Sequence, residues 1–362
     1  MSAKIKFNNN NPIFFQSLKK AVDSYFENRG IRKSGNWKLY SKAIIVISLS
    51  IAVYLFLLLG TYAWWLGILL SVLLGLALIS TAFNVMHDAC HKSFSSKKWV
   101  NNLMGLTMNA LGGNAFLWKI KHNIIHHTYT NIDGVDDDLA NGSLLRLCVT
   151  QKWRPLHRFQ HHYMFFLYAV SSIAWMLVFD FVKYFSLKIH TTSISRIELK
   201  EHIIFWVSKL LYVFFYGLVP IYFVGWQAWL TGFLLVHITM GLVMSVIFQL
   251  AHVVEKTSFY TTEEQAGLPS AAWAEHEIMT TTDFAQKNKW LSWFIGGLNF
   301  QVEHHLFPTV SHIHYPALSE IVREQCQKFS LPYHCYPTMR QAIASHVRLM
   351  KQLGKNVFQL SA

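Results

Sequence analysis

Residues 43–87 read AIIVISLSIAVYLFLLLGTYAWWLGILLSVLLGLALISTAFNVMH, without one Asp, Glu, Lys or Arg. A single membrane-crossing helix takes about 20 apolar residues, so this stretch suits two helices and a tight turn. The turn is expected near Gly60-Thr61-Tyr62, with Trp64 and Trp65 beside it as interfacial anchors. A second charge-free run, Leu210 to Val254, has the same length and its own turn signal near Gly225-Trp226. The composition agrees with this reading. The chain has 362 residues, mean hydropathy +0.26 and only 14% charged residues, far below the roughly 25% of soluble domains. An integral membrane protein is expected.

The net charge of +13 is better assigned to retention on the cytoplasmic side and to anionic lipid headgroups than to nucleic acid, for which no role is expected. Neither hairpin turn carries a charge, whereas the other connecting segments are rich in Lys and Arg. By the positive-inside rule, both termini face the cytoplasm. Residues 1–42 read as a basic tail, with Lys4, Lys6, Lys19 and Lys20 among its cations and a short Asn8–Asn11 run, and show no cleavable signal peptide. The membrane domain covers 43–254, with hairpins at about 43–87 and 203–252 and an intervening cytosolic or interfacial segment at 88–202. Within that segment, Val100–Lys119 and Phe159–Phe179 are read as interfacial or in-plane, the latter because it begins in a basic, polar stretch. Lys209, at the start of the second hairpin, is expected to snorkel toward the basic side. Residues 255–362, broken by Pro269, Pro308, Pro316, Pro332 and Pro337, read as a soluble helical cap. The fold class is therefore all-α and integral to the membrane, with four spanning helices under a cytosolic cap. The four cysteines (Cys90, Cys148, Cys326, Cys335) show no CxxC spacing and suit a reducing, cytoplasm-facing side.

Three histidine clusters sit on that side. His87-Asp88-Ala89-Cys90-His91 ends the first hairpin, His122-Asn123-Ile124-Ile125-His126-His127 follows, and Gln301-Val302-Glu303-His304-His305 lies in the cap. Residues four apart share a helix face, so HxxxH aims two imidazoles at one point. His252, at the end of the fourth span, belongs with them. Eight imidazoles (His87, His91, His122, His126, His127, His252, His304, His305) exceed one metal's needs and suit two metals with vacant positions. An all-nitrogen set favours iron, copper, nickel or zinc. Asp88, Glu303 and the Asp136–Asp138 run are candidates to accept the second ring N–H and fix the tautomer. His157, His161 and His162 repeat the HxxxHH spacing, but Arg154 and Arg158 beside them would repel a cation. His237, deep in a span, reads as a packed, hydrogen-bonded residue, and His312 and His314 as neighbours of the site. His276 in WAEHE is a candidate for substrate contact or structure, and Trp118 for the wall of an acyl tunnel.

The motifs HDACH, HNIIHHTYTN, QVEHH and LFPTVSHIHYP resemble the histidine boxes of membrane fatty-acid desaturases, over residues 42 to 325. The resemblance implies two non-haem irons, O2 as co-substrate, no bound organic cofactor, and removal of two hydrogens from an acyl chain carried by CoA or a phospholipid. Gln301, where many members carry histidine, resembles the front-end and bacterial linoleoyl-type variant, and is a candidate oxygen ligand or hydrogen-bond partner. No His-Pro-Gly-Gly haem motif occurs, so a separate ferredoxin or cytochrome b5-type donor is expected, with a bacterial inner membrane favoured over an endoplasmic reticulum. The same boxes also fit a lipid hydroxylase or oxygenase. A histidine-rich metal transporter fits less well, because transport sites sit near mid-membrane.

Overall fold

The computed structural model describes residues 7, 13–140, 143–262 and 272–355. Lys4, Lys6, the Asn8–Asn11 run and Pro269 lie outside them. The protein is mostly helical. Among the described residues, five helices are long and apolar enough to cross a membrane: Trp37–Leu59, Trp64–Cys90, Pro155–Ser186, Leu199–Val224 and Trp226–His252. Their outer faces leave Ile44, Ile51, Leu55, Leu69, Leu210 and Leu218 exposed, which is compatible with a membrane protein and costly in water.

Local chemistry sets the helix ends. The Asn36 side chain accepts from the Lys38 amide and caps the first helix. The chain breaks at Gly60, in an extended conformation, before Trp64 restarts it. The second hairpin turns at Gly225, whose φ of +78° is a conformation that glycine alone adopts freely. Both turns fall where the charge-free runs predict them. Residues 98–119 form only short helices, Lys98–Gly105, Thr107–Ala110 and Ala115–Lys119, none long enough to span.

Four spans were expected and five helices qualify, the extra one being Pro155–Ser186. This helix packs lengthwise on Trp226–His252, where Ser172 bonds the His237 carbonyl at 2.8 Å and Ser171 meets Ser245 at 2.9 Å. A Cβ on Gly241 would lie 2.6 Å from the Ala169 carbonyl oxygen, so the absence of a side chain permits the close approach. Both ends of the helix meet polar segments. Gln160 donates to the Arg146 and Met350 carbonyls at 3.0 and 2.8 Å, and Lys183 reaches Asp137 at 2.6 Å.

Lys209 does not snorkel outward. Its ammonium is buried and donates to Asp180 Oδ2, the Gly112 carbonyl and the Met176 carbonyl at 2.9, 2.6 and 2.9 Å. One cation whose donors are all used ties its own helix to Pro155–Ser186 and to the turn at Gly112, which is the condition for burying a charge without a large penalty.

Three two-residue ladders complete the fold. Ile132–Asp133 runs parallel to Tyr260–Thr261, with Ile132 opposite Tyr260. Asp283–Phe284 runs parallel to Cys335–Tyr336, and Lys188–Ile189 pairs antiparallel with Thr192–Ser193. Of the segment read as a tail, Ile13–Arg29 is a helix that buries Phe14, Leu18, Val22 and Phe26 against Leu318 and Val322 of helix Tyr315–Lys328.

Asp180→Ala leaves Lys209 buried without its counter-charge. We expect a loss of about 3–5 kcal/mol of stability, read as a lowered thermal midpoint in detergent. The double variant Asp180→Leu/Lys209→Met should recover part of it.

Candidate metal centre

Each histidine cluster is delivered by a helix end. Trp64–Cys90 widens over Ala82–Met86 into π-helical hydrogen bonding, and the His87 amide bonds the Ala82 carbonyl five residues back. The chain then returns to α geometry, so the His91 amide bonds His87 at 3.1 Å and the two rings lie 4.7 Å apart. A second π-helical stretch, Ile120–His126, carries the middle cluster. Such turns are rare and recur at functional sites. Here the i→i+5 bond from the His127 amide to the His122 carbonyl puts those two rings together, with Nε2 atoms 3.2 Å apart.

That turn alters the expected pairing. His122 joins His87, His91 and His304 in one group whose ring nitrogens all lie within 4.8 Å of one another, while His126 joins His252 and His305 in a second such group. His122 and His126 also lie within that distance of each other and of Asp138. His127 stands between the groups, its ring 4.6 Å from His304 and 4.4 Å from His305. All eight rings predicted from the sequence converge, and all are buried.

The hydrogen bonding has a direction. Among the described residues, His87, His91, His126, His252, His304 and His305 each have a buried Nε2 without a hydrogen-bond partner, and His127 has such an Nδ1. The opposite nitrogens of four of these rings are held. His126 Nδ1 lies 3.1 Å from Asp136, His305 Nδ1 2.8 Å from Glu277, His304 Nδ1 3.0 Å from the Tyr315 hydroxyl, and His252 Nδ1 3.4 Å from the Thr280 carbonyl. Burial, reinforced by repulsion among the rings, holds His122, His127, His304 and His305 well below the usual imidazole range. Burial also opposes charge on His126, but the Asp136 carboxylate outweighs it and moves the ring up to about 9. Rings fixed at one nitrogen and unpartnered at the other, as His126, His252, His304 and His305 are, suit a nitrogen-bound transition metal, which takes the lone pair that a proton would otherwise hold.

The other sequence candidates separate. Asp88 turns to His312 Nδ1 at 3.0 Å and to the Ser311 hydroxyl at 2.7 Å. Glu303 accepts from Tyr333 at 2.9 Å, and Tyr333 also meets Asp283. Gln301 is buried but enters neither histidine group, and its side-chain nitrogen lacks a partner among the described residues. His276 bonds the Thr130 carbonyl at 2.8 Å and packs beside Tyr260, a structural placement. Trp118 stacks on His122 at 4.4 Å, with its edge near His87. His237 bonds Tyr212 and Ser172, as a packed residue should. His157 accepts from the Arg154 amide, and His161 and His162 stack on each other, with none of the three in a metal-sized group. Sequence reasoning missed Glu277, the last residue of WAEHE, and Tyr315, which follows His314 in LFPTVSHIHYP. Each is invisible as a partner until the cap folds over the site.

Residues 62–337 match the fatty acid desaturase family. The chain is 35% identical to an sn-1 linoleoyl-lipid 6-desaturase of Synechocystis sp., covering 94% of this chain and 96% of that one. It is 32% identical to an enzyme of the same description from Arthrospira platensis, over 95% and 93% of the two chains. An acyl-lipid (8-3)-desaturase of Physcomitrium patens is 30% identical over 97% of this chain and 73% of its own length. The protein belongs to the fatty acid desaturase family and is a desaturase enzyme of lipid metabolism.

Removing the carboxylate behind His305 should loosen metal without touching a ring. Glu277→Ala is expected to weaken metal affinity about 10–100-fold, measured by chelator competition on purified protein. His161→Ala should leave the retained metal unchanged.

Proposed function

We propose that this desaturase inserts a cis double bond into a glycerolipid-bound fatty acyl chain on the carboxyl side of existing double bonds, using O2, two non-haem irons and a separate electron donor. The observation that carries the reading is the pair of histidine groups whose unpartnered nitrogens face inward. An all-nitrogen, oxygen-poor donor set fits iron and not magnesium or calcium. His87, His91, His122 and His304 would hold one ion, and His126, His252 and His305 the other. His127 stands where it can serve either. Asp88, Gln301, Glu303 and Trp118 are assigned to supporting this shell rather than to binding the ions. The relatives named for acyl-lipid substrates support a lipid-bound chain over acyl-CoA.

Iron supplies the capacity to reduce O2 with electrons from outside the protein. In balance, the acyl chain loses two hydrogens, the donor gives two electrons accompanied by two protons, and O2 leaves as two waters. The protein's own residues do the rest. Asp136, Glu277, Tyr315 and the Thr280 carbonyl hold the rings in register. Buried packing around Trp118 keeps the acyl chain against that shell, so much of the selectivity comes from positioning. The reading places the ligands and both termini on the cytoplasmic side. Pro155–Ser186 is then partly embedded without crossing. Its support is that both helix ends contact polar segments, Gln160 at Arg146 and Met350 and Lys183 at Asp137.

Cells expressing the chain and fed linoleate should make a more unsaturated acid that cells carrying His304→Ala do not make. A hydroxylated acid would instead replace desaturation by oxygenation. For the topology, a cysteine placed at Thr192 and one at Lys97, each in a background lacking the native cysteines, should be labelled by an impermeant thiol reagent from the same side. Labelling from opposite sides would make Pro155–Ser186 a true span.

A further inference from the structure

Three cavities lie end to end through the helices. The largest, about 550 Å³, sits between the spans and is lined by Leu74, Tyr216 and His237. It shares Leu111 and Met240 with a narrow neck of about 50 Å³. The neck in turn shares Trp118, Trp175, Met244 and Phe248 with a third cavity of about 270 Å³. His87 is in the wall of the neck, and His122 is in the wall of the third cavity. The passage therefore crosses the first histidine group. Met86, Met108, Met176, Met240 and Met244 line the neck, and unbranched thioether side chains of this kind repack around irregular shapes.

The two ends of the passage differ in chemistry. The large cavity is mostly apolar. The third is framed by Lys121, Lys183, Asp137 and Asp138, with Gln249 and Ser245 on the helix behind them. Its cations are already matched. Lys183 meets Asp137 at 2.6 Å, and Lys121 meets Asp138 at 2.5 Å and Asp137 at 3.6 Å. Two ammonium groups against two carboxylates leave no uncompensated charge for a polyphosphate carrier. A neutral ester meets no such barrier. Gln249 lines this cavity, and its side-chain amide carries two N–H donors that can meet an incoming carbonyl.

We infer that the third cavity is the mouth for the ester end of a glycerolipid-bound acyl chain. Gln249 donates to the ester carbonyl, the balanced Lys–Asp frame borders the glycerol, and the methyl end fills the large cavity beyond the methionine neck. This rests on the desaturase reading and adds which end of the substrate faces which wall. It also gives a physical reason for acting near the carboxyl end: the wall that holds the ester contains His122.

The test uses cells expressing the full chain, pulsed with isotopically labelled linoleate and quenched over a time course. The new acid should appear first in glycerolipids. Its earlier appearance in acyl-CoA or an acyl-carrier protein would overturn the inference while leaving the reaction standing. Gln249→Leu should lower conversion at least fivefold with retained metal unchanged, and Gln249→Asn, which keeps the N–H, should lower it less. Conversion undiminished in Gln249→Leu would remove Gln249 and the mouth with it. No new acid from the unmutated chain would overturn the desaturase reading itself, and this inference with it.

Discussion

The structure depends on keeping eight imidazoles together and buried, most of them with a ring nitrogen that no other protein group satisfies among the described residues. Among the described residues, seven nitrogens of these eight rings are buried without a partner, and each such group costs about 1–3 kcal/mol when left so. That sum is of the order of a whole domain's stability of about 5–15 kcal/mol. Metal ligation removes the penalty, which couples binding to folding. The surrounding architecture can be read as its consequence. Helix ends deliver rings from four directions, and carboxylates and carbonyls fix the outer nitrogens. The ladder between Ile132 and Tyr260 and the bond from the Asn131 side chain to the His252 carbonyl at 2.8 Å tie the second cluster to the end of the helix that carries His252.

Much of this was legible in the sequence because it is carried by composition over long windows. The absence of charge from 43 to 87 and from 210 to 254 locates both hairpins, and the single residues Gly60 and Gly225 locate their turns. Histidine is uncommon enough in apolar chains that clusters beside the spans point to one site. The docked helix Ile13–Arg29 was also present in the pattern, as Phe14, Leu18, Val22 and Phe26 at four-residue spacing, but the density of Lys and Arg masked it.

What escaped the sequence depends on geometry that spacing does not encode. HxxxHH in a regular helix sends the first and fifth positions to one point. A π-helical turn adds a residue to the ring and brings the first and sixth together instead, so His122 and His126 are divided between the groups. Lys209 reads as a snorkelling residue because its partners, Asp180 and two carbonyls, come from segments remote in the chain. Glu277 cannot be matched to His305 before the cap is folded. The Pro155–Ser186 helix is the clearest case, since its apolar length fits a crossing helix and an embedded one equally.

The two histidine groups are alike in chemistry and unlike in surroundings. The three connected cavities touch His87 and His122 and none of His126, His252 or His305. The second group is instead backed by Asp136, Glu277 and the cap. The cavities thus border the first group directly, and the second lies behind it, with His126 stacked on His122 at 5.3 Å. Carboxylates behind imidazoles raise the basicity of the ligating nitrogen, and they are concentrated behind the second group. The second group is therefore the more enclosed, and the first is the one that borders the cavities. An asymmetry of that kind follows from which helix ends border the membrane cavities and which border the cap, and it requires no difference in the ligand type.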